Sequence, residues 1–284
     1  MSRGLDKNFM AALLEKDGQL HSFLELVKRD HTLDLEIREN YINIYYRGGS
    51  IVKIGPEKDK NGEYKFHFDP NYFGKNSEKI KVTIDKFPEM KKAMDLSKKL
   101  KIEREFQQLI VRENNYSSIA KSTDYSIADI EYAENDGRSD MIAVKWESDT
   151  ESRKNTVGLG LALIEVKYGD NALKDDSGII AHLKNANKIP IKSLKDKMKV
   201  CFNQKRELGL IPSIEKDIGS FDNKQKTDFI FILINHDPAK SNLKKEIEKI
   251  NPNDYQNLNI KFAVSSFMGY GLYVENIYDL EKFK

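Results

Sequence analysis

The most constraining stretch of the chain is Gly160-Leu161-Ala162-Leu163-Ile164-Glu165-Val166-Lys167-Tyr168-Gly169, an apolar run that carries two opposite charges near its end. Five of the six residues from Leu161 to Val166 are apolar and glycines close both ends, the pattern of a strand buried on both faces. Alternation along a strand puts Leu161, Leu163, Glu165 and Lys167 on one face, the last two roughly 6 to 7 Å apart. A carboxylate and an ammonium therefore project side by side where a hydrophobic strand leaves the core. Glu-x-Lys recurs at Glu63-Tyr64-Lys65 and Glu89-Met90-Lys91, but only the copy at 165 to 167 lies in an uninterrupted apolar strand. The bland alternative is a buried ion pair.

Upstream, Arg138 to Trp146 reads as a second strand with Asp140 at its entrance. Tyr125 to Ala133 reads as a third, with Asn135-Asp136-Gly137 supplying the turn between them. An aspartate opening one strand, then Glu-x-Lys 25 residues later on the next, after a helix and a first strand, resembles the PD-(D/E)xK nuclease superfamily. The resemblance spans roughly residues 95 to 275 and implies an α/β, restriction-endonuclease-like core. It also implies a carboxylate pair holding a divalent metal, a lysine beside the attacking water, and phosphodiester hydrolysis. By motif position Asp140 matches the family aspartate, Glu165 the D/E and Lys167 the lysine. Ser139 stands where the family name has proline, a position that varies widely in the superfamily. The helix before the meander can lend a further carboxylate; Glu103 and Glu105 are candidates for it, and Glu131 on the first strand is a third.

The chemistry gives an independent reason for these residue types. Magnesium, with manganese as a substitute, is a hard cation that takes one or two protein carboxylates and keeps waters for its other positions. Bound metal lowers the pKa of a water and neutralises charge on a phosphate. A lysine beside it orients that water or stabilises the transition state. The expected activity is that of a metal-dependent nuclease, DNA being favoured over RNA as substrate. The alternative is a nuclease-like domain that binds nucleic acid or protein without cutting.

Charge distribution bears on this more than the formal net charge of +2 does. From Ala181 to Arg206 there are eight Lys or Arg against one acid, Asp196, and Lys184, Lys188, Lys192, Lys195 and Lys199 are candidates for contact with phosphates. A solvated helix face is the competing explanation. The single cysteine, Cys201, excludes an internal disulfide and a cysteine-based zinc site, and points to a reducing cytoplasm. No apolar run approaches the length of a membrane span. A homodimer is compatible with all of this.

Two domains are expected, residues 1–88 and 89–284. The first combines a helix over 5–30, broken around Asp17-Gly18, with a small antiparallel sheet of four strands: 33–38, 41–46, 51–54 and 64–68. Tyr41, Tyr45, Tyr46, Arg47 and Lys53 are candidates there for a base-stacking face, in competition with simple filling of a half-buried sheet. Residues 69–88 read as a linker or irregular segment. The second domain opens with a long helix over 89–114, whose stripe is Leu96, Leu100, Phe106, Leu109 and Ile110. After the meander come a helix opened by Asp176 or Ser177 and carrying His182, favoured as a packing or hydrogen-bonding residue, and a second helix over 191–208. A buried strand over 228–235, a helix over 243–250 and strands at 260–264 and 271–274 complete the core. The phosphate loop, His-Glu-x-x-His and Gly-x-Ser-x-Gly motifs are all missing from the sequence.

Overall fold

The computed structural model describes residues 3–74, 78–79, 82–97, 101–175, 178–234, 242–265, 272, 274 and 277–282. The chain is mixed α/β and divides into two units, Met1–Gln108 with Gln204–Leu210 and Leu109–Asn203 with Ile211–Lys284.

In the first unit, two helices, α1 (Lys7–Leu14) and α2 (His21–Arg29), stand where the sequence suggests one broken helix. The break is built on Gly18: a Cβ there would fall 2.4 Å from the Ala12 carbonyl oxygen, so the chain turns this sharply only without a side chain. Asp6 caps α1, accepting from the Phe9 amide at 2.8 Å. Strands β1 (Leu33–Ile37), β2 (Ile42–Tyr46), β3 (Gly49–Lys58) and β4 (Tyr64–His67) and the two-residue β5 (Glu78–Lys79) form an antiparallel sheet in sequence order. The segment expected to be irregular holds β5, the short helix α3 (Pro70–Phe73) and the start of α4 (Phe87–Asp95), with Pro88 in its first turn.

The alternation in β1 does not separate a wet face from a dry one. Asp34 and Glu36 are buried along with Leu33, Leu35 and Ile37. Glu36 is served by two cations, Lys205 at 2.6 Å and the longer Arg38 contact at 3.5 Å. Lys205 comes from the last part of α7 (Ile191–Glu207), which is why a short segment far along the chain belongs to this unit.

The long helix expected over 89–114 is two, α4 and α5 (Ile102–Asn115). Of its expected stripe, Phe106 and Ile110 are buried, Leu96 and Leu109 are exposed, and Leu100 lies outside the described residues. The first turn of α5 belongs to the first unit because the β2–β3 turn grips it. Arg47 pairs with Asp95 at 3.0 Å and Glu105 at 2.9 Å, and a Cβ on Gly48 would fall 2.7 Å from that of Arg104. The division between units thus falls inside α5 and not at Pro88. These contacts also account for the aromatic face. Tyr45 and Tyr46 are buried, Tyr46 donates to Asp95, and Lys53 sits over the Tyr41 ring at 4.0 Å, so the group fills and braces the sheet and does not form a free stacking platform.

The second unit is built on a six-stranded mixed sheet. Its strands are β6 (Tyr125–Glu134), β7 (Gly137–Lys145), β8 (Gly160–Tyr168), β9 (Thr227–Ile234), β10 (Leu258–Ser265) and β11 (Ile277–Asp279), in the spatial order β11-β10-β9-β8-β7-β6. The β6–β7–β8 meander is antiparallel, as expected, whereas β8, β9 and β10 are parallel neighbours. Apart from the charged pair on β8, the central strands are buried by long apolar runs: Leu161 to Ile164 and Phe229 to Ile234. Connections run through α6 (Ile179–Ala186) and α7 between β8 and β9, and through α8 (Leu243–Ile247) between β9 and β10. Of the expected stripe, Leu194, Met198 and Phe202 in α7 and Leu208 just after it are buried, together with Cys201. The α6 caps expected at Asp176 or Ser177 lie outside the described residues, and Gly178 occupies the N-cap position. The strand expected at 271–274 falls largely outside them too; β11 is the described edge strand.

Removing one partner of a buried ion pair strands the other charge. Lys205→Met is therefore expected to cost about 3 kcal/mol. The check is urea denaturation: a lowered midpoint for the single variant, largely restored in Lys205→Met/Glu36→Gln.

Candidate active site on strands β7 and β8

Register assembles the site. The β7–β8 ladder pairs Ile142 with Leu163 and Met141 with Ile164, and one further step sets Asp140 opposite Glu165. Opposed residues of an antiparallel pair share a face, so both carboxyls project from the same side of the sheet. Two hydrogen bonds lock them. The Val166 amide donates to Asp140 Oδ2 at 2.8 Å, and the Asp140 amide donates to Glu165 Oε1 at 3.3 Å. On the other side of β8, parallel pairing places Phe231 beside Glu165 and Leu233 beside Lys167. Water is thereby kept from one flank: the Glu165 and Lys167 side chains are 1% and 3% exposed.

Lys167 Nζ stands 3.9 Å from Glu165 Oε2. That is at the limit of an ion pair, so the ammonium is beside the carboxylate without clasping it. His182, one turn into α6, brings its Nδ1 to 2.7 Å from the same Oε2. The sequence favours packing or hydrogen bonding for His182, and the structure puts it against the Glu165 carboxylate. A histidine one turn past a Ser-Gly helix start carries no signal of that contact, because nothing local tells which strand the helix will cover.

Burial first, and then the negative charge of Glu165, push the Asp140 carboxyl well above the usual carboxylate range; the Val166 amide and Lys167 pull it back only in part. Two opposed carboxyls, Glu165 buried and Asp140 half-buried, favour a shared proton or a cation between them. The donor set is all oxygen, which suits a hard divalent ion such as magnesium or manganese. Among the described residues no group of three or more His, Cys, Asp or Glu side chains is placed to hold a metal.

The supplementary acids are placed differently. Glu105 is paired with Arg47 in the first unit, and Glu103 is exposed on the same turn of α5. Glu131 is half-buried on β6, with a left-handed φ of 52°. Of the five candidate lysines, Lys184, Lys188, Lys192 and Lys199 are exposed and Lys195 is buried.

Comparison with protein-family models, with curated proteins and with solved structures finds no match to this chain. The site therefore rests on its own geometry.

A carboxyl whose folded-state pKa is raised stabilises the fold fully only below its unfolded value, and that contribution is lost as pH rises through the folded one. Asp140→Asn cannot ionise. In EDTA it is expected to melt at a higher temperature than the intact protein at pH 8, with the gap shrinking toward pH 4. Added magnesium or manganese should raise the melting temperature of the intact protein only. Thermal melts across that pH range check both statements.

Proposed function

We propose that the chain is a divalent-metal-dependent nuclease with a restriction-endonuclease-like core, acting as an endonuclease on DNA. The observation that carries this reading is the pairing of Asp140 and Glu165 on one sheet face, with the Lys167 ammonium 3.9 Å from Glu165. The order α5, β6–β7–β8, α6 and α7, β9, α8, β10 supports it as well, since it follows the element order of the resembled superfamily.

Asp140 and Glu165 would hold the metal. When bound, a divalent cation supplies an acidified water and neutralises charge on the phosphate. Lys167, on a buried strand, would orient the attacking water and stabilise negative charge as the phosphorus–oxygen bond breaks. Its rigidity favours this: a side chain 3% exposed gives up no rotamer freedom at the moment of reaction. His182, whose Nδ1 lies 2.7 Å from Glu165 Oε2, would steady that carboxylate from α6 as an outer residue does for a metal ligand.

Cleavage of supercoiled plasmid and of linear single-stranded DNA, with magnesium or manganese, tests the assignment. Lys167→Ala is expected to cut about a hundredfold more slowly, on the order of 3 kcal/mol of transition-state stabilisation. Equal cutting by both proteins would remove Lys167 from the chemistry, and no cutting by either on DNA or RNA would leave a domain that only binds. His182→Ala is expected to raise the metal concentration for half-maximal rate by roughly tenfold or more while leaving folding intact. A metal titration of the rate, with circular dichroism alongside, reads that outcome.

A further inference from the structure

The lysines of α6 and α7 do not act as one face. Only Lys192 and Lys195 open onto a cavity of about 460 Å³ in the second unit, and there they meet Lys224 and Lys226 from the segment before β9. Four ammonium groups thus line one cavity, and among the described residues its wall contains no carboxylate side chain. The sequence separates the two pairs by some thirty residues, so charge counting along the chain sees only the first.

Lys195 is 7% exposed. Its Nζ donates to the Asp222 carbonyl oxygen at 2.5 Å, which satisfies one of three N–H groups, and no carboxylate lies within ion-pair distance among the described residues. Its ammonium has one neutral hydrogen-bond acceptor and only the longer-range charge of Asp222 to offset its burial, so an incoming anion would add to that compensation. The Asp222 carboxylate, whose charge is also felt by Lys195 and Lys224, accepts from the Lys224 and Gln225 amides and so shapes the turn that presents Lys224. Lys192, Lys224 and Lys226 are exposed and free of ion pairs among the described residues.

The rest of the lining selects the kind of anion. Asn187, Asn223, Gln225 and Asn257 contribute amides, which match phosphate oxygens and sugar hydroxyls, whereas an aromatic ring, the group on which a base would stack, is absent from the wall. We propose that this cavity is a subsite for the sugar–phosphate backbone of nucleic acid, holding the polymer without reading its sequence. It shares no residue with the Asp140–Glu165 site and rests on the nuclease reading only for the identity of the polymer.

The test is fluorescence anisotropy with a labelled duplex DNA, a single-stranded DNA and an RNA, in EDTA so that nothing is cut, over a range of sodium chloride concentrations. Lys192→Ala/Lys224→Ala/Lys226→Ala is compared with a control of equal charge loss in the first unit, Lys7→Ala/Lys16→Ala/Lys60→Ala. All six lysines are exposed, so both triples should fold. The cavity triple is expected to bind about tenfold or more weakly, with the slope of log affinity against log salt reduced by about 0.9 for each duplex phosphate that is no longer neutralised. An affinity and slope equal to those of the control triple would overturn the subsite, as would an intact protein that binds none of the three polymers. Binding that follows the expected pattern in a protein that never cleaves would support the subsite and sink the hydrolytic reading alone.

Discussion

The nuclease reading depends on two carboxylates held face to face across the β7–β8 ladder. The register pairs Ile142 with Leu163, and a shift by one residue would turn Asp140 to the other side of the sheet from Glu165. Such a shift is strongly opposed. Met141, Ala143 and Val144 on β7 and Leu161, Ala162 and Ile164 on β8 are all buried, so sliding one strand would break the packing of both faces. The apolar part of the hairpin thereby sets the geometry of its polar end.

The same sheet contains a buried acid of the opposite character. Asp228, on β9, accepts from the Tyr125 hydroxyl at 3.0 Å and the Asn259 amide at 3.2 Å, with Lys261 at 3.5 Å. Donors surround it, and its role is to tie β6, β9 and β10 together. Tyr125 reports that environment: burial and the adjacent Asp228 charge push its hydroxyl well above the usual tyrosine value. Asp140 instead faces another acid. Donors surround Asp228, whereas Asp140 and Glu165 oppose one another with Lys167 and His182 beside Glu165, and this contrast is the physical basis for the cation site proposed there.

Positive charge is divided between two tasks as well. Lys205 and Arg38 are spent on Glu36 inside the first unit, and Arg47 on Asp95 and Glu105. Lys192, Lys224 and Lys226 face solvent around one cavity, and Lys195 is buried in its wall. The first group holds the fold together and has no charge left to offer a ligand. The second keeps its charge available, and the proposed backbone subsite draws on that group.

By itself, the sequence determined the strands of the meander, the place of Asp140 on the second and of Glu165 and Lys167 on the third, and the buried character of β8 and β9, because period-2 alternation and long apolar runs are local properties. It could not determine that β1 buries its acids, since the cation that compensates Glu36 arrives from residue 205. Nor could it split the helix over 89–114, whose first turn is claimed by Arg47 and Gly48 from a distant turn. Only the tertiary structure decided that His182 meets Glu165 and that Lys192 and Lys195 share a cavity with Lys224 and Lys226. These are contacts between elements remote in the chain, and their geometry follows from how helices lie across a sheet, which no local pattern encodes.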